Sequence, residues 1–152
     1  MKTILGIDNG LYGALSFYDG SELLIYDMPL YKTERPSINI SRLLEIITTN
    51  APNHAYIEKL TPMPRVGGLP CFSMGHSEGI ILASMTALKT PFTFTRPSEW
   101  KKAMQCPADK DAARKRATEL LPNHSHNWPL KKHDGRAESA LIALYGYNKT
   151  TP

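Results

Sequence analysis

The sequence predicts an α/β fold built on a mixed five-stranded sheet with helices on both faces, and three observations carry that expectation. Three short strand-like runs open the chain, separated by the turn signals Asn9-Gly10 and Asp19-Gly20. Two further strand-like runs, at 54–60 and 91–95, alternate with helical patterns. At 152 residues with 41% apolar side chains, the chain suits one well-cored domain spanning 1–152 better than two.

In chain order, residues 3–8, 12–18 and 22–27 form an antiparallel meander. A loop bearing Lys32 and Arg35 leads to a helix at about 39–49, where Ile40, Leu43, Leu44 and Ile47 recur at helical spacing. After the fourth strand, "TPMPRVGGLPCF" (61–72) holds three prolines and two glycines and reads as a mobile loop with apolar tips Met63, Leu69 and Phe72. Helices are expected at about 75–88, 97–104, 108–121 and 133–147, with "PNHSHNWPLKK" a loop before the last. Right-handed crossovers then make the first strand central, in the order 3-2-1-4-5 with only strand 2 antiparallel.

Composition narrows the class. No apolar run approaches the roughly 20 residues of a membrane span, and no secretory signal pattern opens the chain. Cys71 and Cys106 stand apart, without the spacing of a zinc site or a disulfide framework. A cytoplasmic setting, a phage-infected host cell included, and no membrane partner are therefore expected. Residues 96–136 carry ten basic and five acidic side chains, a local net of +5, whereas the remainder has eight basic against nine acidic, a net of −1. Such a segment suits a polyanion such as nucleic acid, and equally a solvated pair of basic helices.

The chemistry-bearing residues are acids. Asp8 ends the apolar run Ile4-Leu5-Gly6-Ile7, and Glu58 ends Ala55-Tyr56-Ile57. In an open sheet these positions lie at the carboxyl edge of adjacent central strands, where ligands gather. Asp134 and Glu138 open the last helix four residues apart, on one face, with an apolar stretch behind them. Read singly, Asp8 is equally a turn residue, Asp134 an N-cap and Glu138 a surface acid. Together, Asp8, Glu58, Asp134 and Glu138 are like charges that a divalent cation would reconcile, and Mg²⁺, with Mn²⁺ as a substitute, prefers such oxygen ligands. Two such ions about 4 Å apart can activate water and stabilise the leaving oxygen of a phosphodiester.

"ILGIDNG", "AYIEKL", "MGHSEGIILAS", "PSEWKK", "DKDAARKRATELLP" and "HDGRAESALIALYG", in that order over residues 3–146, resemble RuvC-type Holliday junction resolvases of the ribonuclease H-like superfamily, nearest to the phage and plant organellar branch. The resemblance implies a crossover junction endodeoxyribonuclease of DNA recombination and repair. It would act as a homodimer on four-way junction DNA, leaving 5′-phosphate and 3′-hydroxyl ends. Asp8, Glu58, Asp134 and Glu138 match its metal-binding acids by position. Bacterial members space the last pair three apart, which would fall on Gly135 here, so Asp134 departs from their pattern.

Lys110 opens what resembles the family's basic helix, where a lysine can offset charge developing on the scissile phosphate. Lys101, Lys102, Lys110, Arg114 and Lys115, with Arg65 and Arg136, are expected to contact phosphates without reading sequence. Met63, Leu69 or Phe72 would wedge into an unstacked base step. Trp100 is expected in the core, His124 and His126 at the surface, and His133 beside the site. The helix at 76–88 carries small and apolar residues suited either to a subunit contact or to the core.

Other readings stay open: a nuclease for RNA–DNA hybrids or flaps, or a junction-binding protein without catalysis. A nucleotide-dependent phosphotransferase with a similar first strand needs two such domains, and no GxxxxGK[ST] loop occurs. No nucleotide cofactor is expected.

Overall fold

The computed structural model describes residues 1–109 and 111–151. In chain order its elements are strands β1 (Ile4–Asp8), β2 (Ala14–Tyr18) and β3 (Leu23–Asp27), the two-residue strands β4 (Leu30–Tyr31) and β5 (Ser37–Ile38), helix α1 (Ile40–Asn50), strand β6 (His54–Glu58), helix α2 (Gly68–Ala87), strand β7 (Phe92–Thr95), and helices α3 (Pro97–Ala103), α4 (Ala112–Leu120) and α5 (Asp134–Thr150). The main sheet runs β3-β2-β1-β6-β7. Strand β2 is antiparallel to both neighbours, whereas β1, β6 and β7 are parallel. This is the mixed arrangement that the alternation of patterns predicts.

Strand periodicity divides the core into two layers. Leu5 and Ile7 turn to one face with Leu15, Phe17, Ile47, Ile81 and Met85, beneath α1 and α2. Ile4 turns to the other face with Tyr18, Tyr56, Trp100, Trp128 and Leu141, beneath α3, α4 and α5. Gly6 lies on this second face directly under α5. A Cβ there would overlap the backbone of Ser139 and Ala143, so the helix reaches the central strand only because Gly6 has none. Alongside, Ser16 and Ser139 share a buried hydroxyl–hydroxyl hydrogen bond of 2.6 Å.

Helix α1 begins at Asn39, whose side chain accepts the Arg42 N–H at 3.0 Å. It buries Leu43, Ile46 and Ile47, while Ile40 stays exposed at the rim of a groove shared with α2.

Several boundaries differ from the sequence expectation. Residues 68–72 are not loop but the first turns of α2, which starts at Gly68 rather than near 75. Pro70 is tolerated there because first-turn N–H groups lack intrahelical partners in any case. Leu69 and Phe72 are consequently presented from a helix, and Met63 alone of the three apolar tips stays on the preceding loop. The β4–β5 ribbon falls within the Pro-bearing loop, since two-residue strands are too short to show a period. Helix α4 begins at Ala112 rather than 108, and 122–127 coil into a 3-10 turn.

Replacing Gly6 with valine is expected to cost about 3 kcal/mol or more of folding free energy, because backbone rather than a flexible side chain opposes the new Cβ. Urea unfolding of Gly6→Val beside the parent protein measures it.

Candidate metal and nucleic-acid site

The parallel register Ile7↔Ile57 sets the last residues of β1 and β6, Asp8 and Glu58, side by side at the carboxyl edge of the sheet. Helix α5, held down over Gly6, brings Glu138 from its second turn to the same edge. One carboxylate oxygen from each of Asp8, Glu58 and Glu138 lies within 4.8 Å of the others. Glu58 is almost wholly buried, and Asp8 and Glu138 are partly buried.

This crowding has electrostatic consequences. Burial, followed by the charges of Glu138 and Glu58, pushes the Asp8 carboxyl well above its ordinary range. Burial and then the Glu58 charge raise Glu138 to about 7. Glu58 is raised by burial, and opposed by two neighbours: the Trp100 indole N–H, which donates to its Oε2 at 2.7 Å, and the Lys101 ammonium. The charge of Lys101 also favours the ionised forms of Asp8 and Glu138. Trp100 is core, as expected, but its bond to a site carboxylate, formed across 42 residues of sequence, has no local signal.

Asp134 lies outside the 4.8 Å group. Its Oδ1 accepts the Arg114 Nε–H at 2.8 Å, and Arg114 is also bound by Asp111 at 3.0 Å. Position 135, three residues before Glu138, has no room for an acid. A Cβ on Gly135 would stand 2.5 Å from the Tyr12 carbonyl oxygen and 3.2 Å from Asp8 Oδ2. The turn between β1 and β2 thus presses directly on the start of α5.

Among the expected nucleic-acid contacts, Lys102, Lys115 and Arg65 are exposed and Lys101 is partly so. Met63 and Phe72 are 69% and 74% exposed, with the Phe72 ring stacked on His76. Arg136 is used differently. Its guanidinium forks onto Asp27, with Nε and Nη2 at 2.7 and 2.8 Å, and its Nη1 donates to the Asn127 carbonyl at 3.0 Å. That pairing ties α5 to the end of β3 and takes Arg136 out of the set facing solvent as a ready phosphate contact. Lys110 lies outside the described residues. His133 accepts the Leu130 N–H through Nδ1 at 3.2 Å, and His124 sits against the Ser21 carbonyl at 3.0 Å.

The fold can be compared with solved structures. T. thermophilus RuvC in complex with a Holliday junction substrate superposes with a TM-score of 0.69 at 16% identity, over 99% of this chain and 98% of that one. A second Thermus thermophilus RuvC structure gives 0.63 at 16% identity, over 97% of each chain. The chain has a RuvC-type fold. The yeast mitochondrial Holliday junction resolvase Ydc2 gives 0.56 at 18% identity, over 95% of this chain and 77% of that one. No protein-family model matches the sequence, and no curated protein matches it either.

The donor set on this RuvC-type scaffold fits a divalent cation. All three ligand groups are hard carboxylate oxygens, the chemistry of Mg²⁺ and Mn²⁺ sites rather than of zinc or copper ones. Like charges held this close are stable together only with protons or a cation between them. Next to Asp8, Asn9 buries both side-chain amide atoms with no hydrogen-bond partner among the described residues, polar capacity that the chain itself does not satisfy.

A carboxyl raised on folding destabilises the fold once it ionises, so stability is expected to fall as pH rises from about 4.5 towards 7, the range over which Glu138 titrates only in the unfolded chain. Thermal melts in chelator should show a lower midpoint at pH 8 than at pH 5. Adding Mg²⁺ should raise the midpoint more at pH 8 than at pH 5, and Glu138→Gln should flatten the pH dependence.

Proposed function

We propose that the protein is a metal-dependent endonuclease that resolves four-way DNA junctions by paired, symmetric nicks. The observation that carries this reading is the cluster of Asp8, Glu58 and Glu138 at the carboxyl edge of a sheet with the RuvC-type fold. A similarly folded protein, T. thermophilus RuvC, was solved in complex with a Holliday junction substrate.

In this reading Asp8, Glu58 and Glu138 hold Mg²⁺, or Mn²⁺ in its place. The cation supplies Lewis-acid stabilisation of the charge on the transferring phosphoryl group and lowers the proton affinity of water. Water adds in line to phosphorus, the bond from phosphorus to the 3′-oxygen breaks, and the 3′-oxygen gains a proton. The products are a 5′-phosphate and a 3′-hydroxyl. The Trp100 indole fixes the orientation of Glu58, a supporting contact of the kind that holds a ligand group in place. Lys101, whose charge reaches all three carboxylates, and Lys110 offset negative charge at the scissile phosphate. Asp134 joins the set when Arg114 turns from it to a DNA phosphate. Lys102, Lys115 and Arg65 track the backbone of the arms, while Met63 and Phe72 enter the open centre of the junction.

Two nicks in strands of like polarity need two sites, so the working unit is a homodimer. The face that supports this is a groove of about 500 Å³ between α1 and α2, lined by Ile40, Leu44, Gly79, Ile80 and Ala83. Close by on α2, Leu82 is exposed.

The experiment uses end-labelled four-way junctions, matched duplex and RNA–DNA hybrid with Mg²⁺, and the parent protein beside Asp8→Asn. The expected outcome is paired nicks at symmetric positions in the junction alone, reduced at least a thousand-fold in Asp8→Asn while junction binding persists. Cleavage of the hybrid in preference to the junction would make the enzyme a ribonuclease. Junction binding without cleavage would make it a binding protein.

A further inference from the structure

Tyr12 is 85% exposed, the most exposed aromatic side chain among the described residues. A large apolar ring left in water on a surface loop is unremarkable when isolated. This one is not isolated from the chemistry. It sits in the turn between β1 and β2, four residues after Asp8. Its carbonyl oxygen lies against Gly135, whose Cβ direction points between that oxygen and Asp8 Oδ2. The backbone that carries the ring therefore lies beside Asp8, at the edge of the acid cluster.

The turn that carries it is fixed. The Gly13 N–H donates to the Gly10 carbonyl at 3.2 Å, closing the turn around Leu11 and Tyr12. The Gly13 carbonyl accepts the Met28 N–H at 3.0 Å, which ties the turn to the segment after β3. Leu11 packs into the core layer beneath α1 and α2. The backbone of Tyr12 is thus held on three sides, yet its ring has no aromatic partner, unlike Tyr18, Tyr26, Tyr56, Tyr145 and Tyr147. A rigid backbone presenting an unpartnered ring forgoes little conformational freedom when a flat ligand covers it.

The chain leaving β6, the neighbour of β1 on the side away from β2, carries further exposed apolar groups, Met63, Leu69 and Phe72. Because the cluster marks the scissile phosphate, a ring carried on backbone at its edge meets the nucleoside on one side of that phosphate. In continuous duplex the base there is stacked on both faces. At a branch point a base can lose a neighbour, and an aromatic side chain can supply the missing face.

We propose that Tyr12 is a stacking platform for the nucleobase flanking the scissile phosphate, and so a residue that sets which nucleotide is tolerated beside the cut. This rests on the junction-cleaving reading and adds to it the positioning of one base by one named side chain. Stacking needs the π-face and not the hydroxyl, so phenylalanine and tryptophan serve in place of tyrosine.

The test uses four-way junctions carrying 2-aminopurine singly at each position around the branch point, bound by the full chain in the Asp8→Asn background. With Tyr12 present, fluorescence at one position beside the cleavage site is expected to be quenched on binding. Tyr12→Ala should abolish that quench and weaken junction binding about 5- to 150-fold, the range for losing one aromatic–base stack. Tyr12→Phe and Tyr12→Trp should retain both. Because the side chain is exposed, Tyr12→Ala should keep the parent melting temperature, and in the otherwise unaltered enzyme it should broaden the set of sequences cut. If Tyr12→Ala binds and quenches at every position as the parent does, the stacking role is overturned while junction binding stands. If the Asp8→Asn protein with Tyr12 intact binds no junction better than matched duplex, the junction reading itself is overturned and the stack with it.

Discussion

Helix α5 rests on the central strand with no side chain between Gly6 and the backbone of Ser139 and Ala143. The rest of the molecule is arranged around that contact. It lets one helix lie across β1, β2 and β6, and it pairs the hydroxyls of Ser16 and Ser139, which are 123 residues apart in sequence, inside an otherwise apolar layer. A buried hydroxyl is stable only when its partner is in place, so the pair fixes the sliding and rotation of α5 as well as its distance. Glu138 is the residue immediately before Ser139. Its carboxylate therefore reaches the strand-end acids through a backbone contact and a hydrogen bond, neither of which involves a charge.

This division matters because the acids themselves oppose the arrangement. Asp8, Glu58 and Glu138 repel one another and lose hydration as they approach, which is why their carboxyls are raised. The assembly relies on the apolar layers on both faces of the sheet to hold them together. The neighbours then discriminate between them. Glu58 receives the Trp100 N–H, a bond that favours its ionised form, whereas Glu138 is raised to about 7. A site left this far from electrostatic balance is ready to take up positive charge.

What the sequence made legible follows the range of the forces involved. Asp8 and Glu58 stand at the ends of apolar runs, and strand pairing converts that local pattern into adjacency with one assumption about crossovers. Glu138 follows from helical spacing against an apolar face. Asp134 shares that spacing, but its partner is decided by where α4 lies, and Arg114 on that helix takes it. The pressure of the Tyr12 carbonyl on Gly135 depends on the exit angle of a turn and on the closeness of α5, neither of which has a sequence period. The start of α2 was hidden for a different reason. Its Gly-Gly and Pro composition speaks for a loop, yet a first helical turn has no hydrogen bonds for a proline to break.

The basic segment illustrates the difference between counting charges and placing them. Residues 96–136 hold four arginines, and three are engaged by carboxylates of the fold: Arg114 by Asp134 and Asp111, Arg116 by Glu119, and Arg136 by Asp27. Lys102, Lys115, Lys131 and Lys132, by contrast, are exposed. The split follows the chemistry of the two side chains. A guanidinium is a planar fork that holds a carboxylate in a fixed orientation, so it serves to tie α4 and α5 in place. An ammonium is a strongly hydrated point charge on a flexible stem, which meets a phosphate without demanding one geometry. A surface of lysines can therefore meet a polyanion of varying path, while Arg114 and Arg136 tie the start of α5 to its neighbours. The net charge of the segment understates this separation, because three of the acids that lower it, Asp111, Glu119 and Asp134, are paired with its arginines.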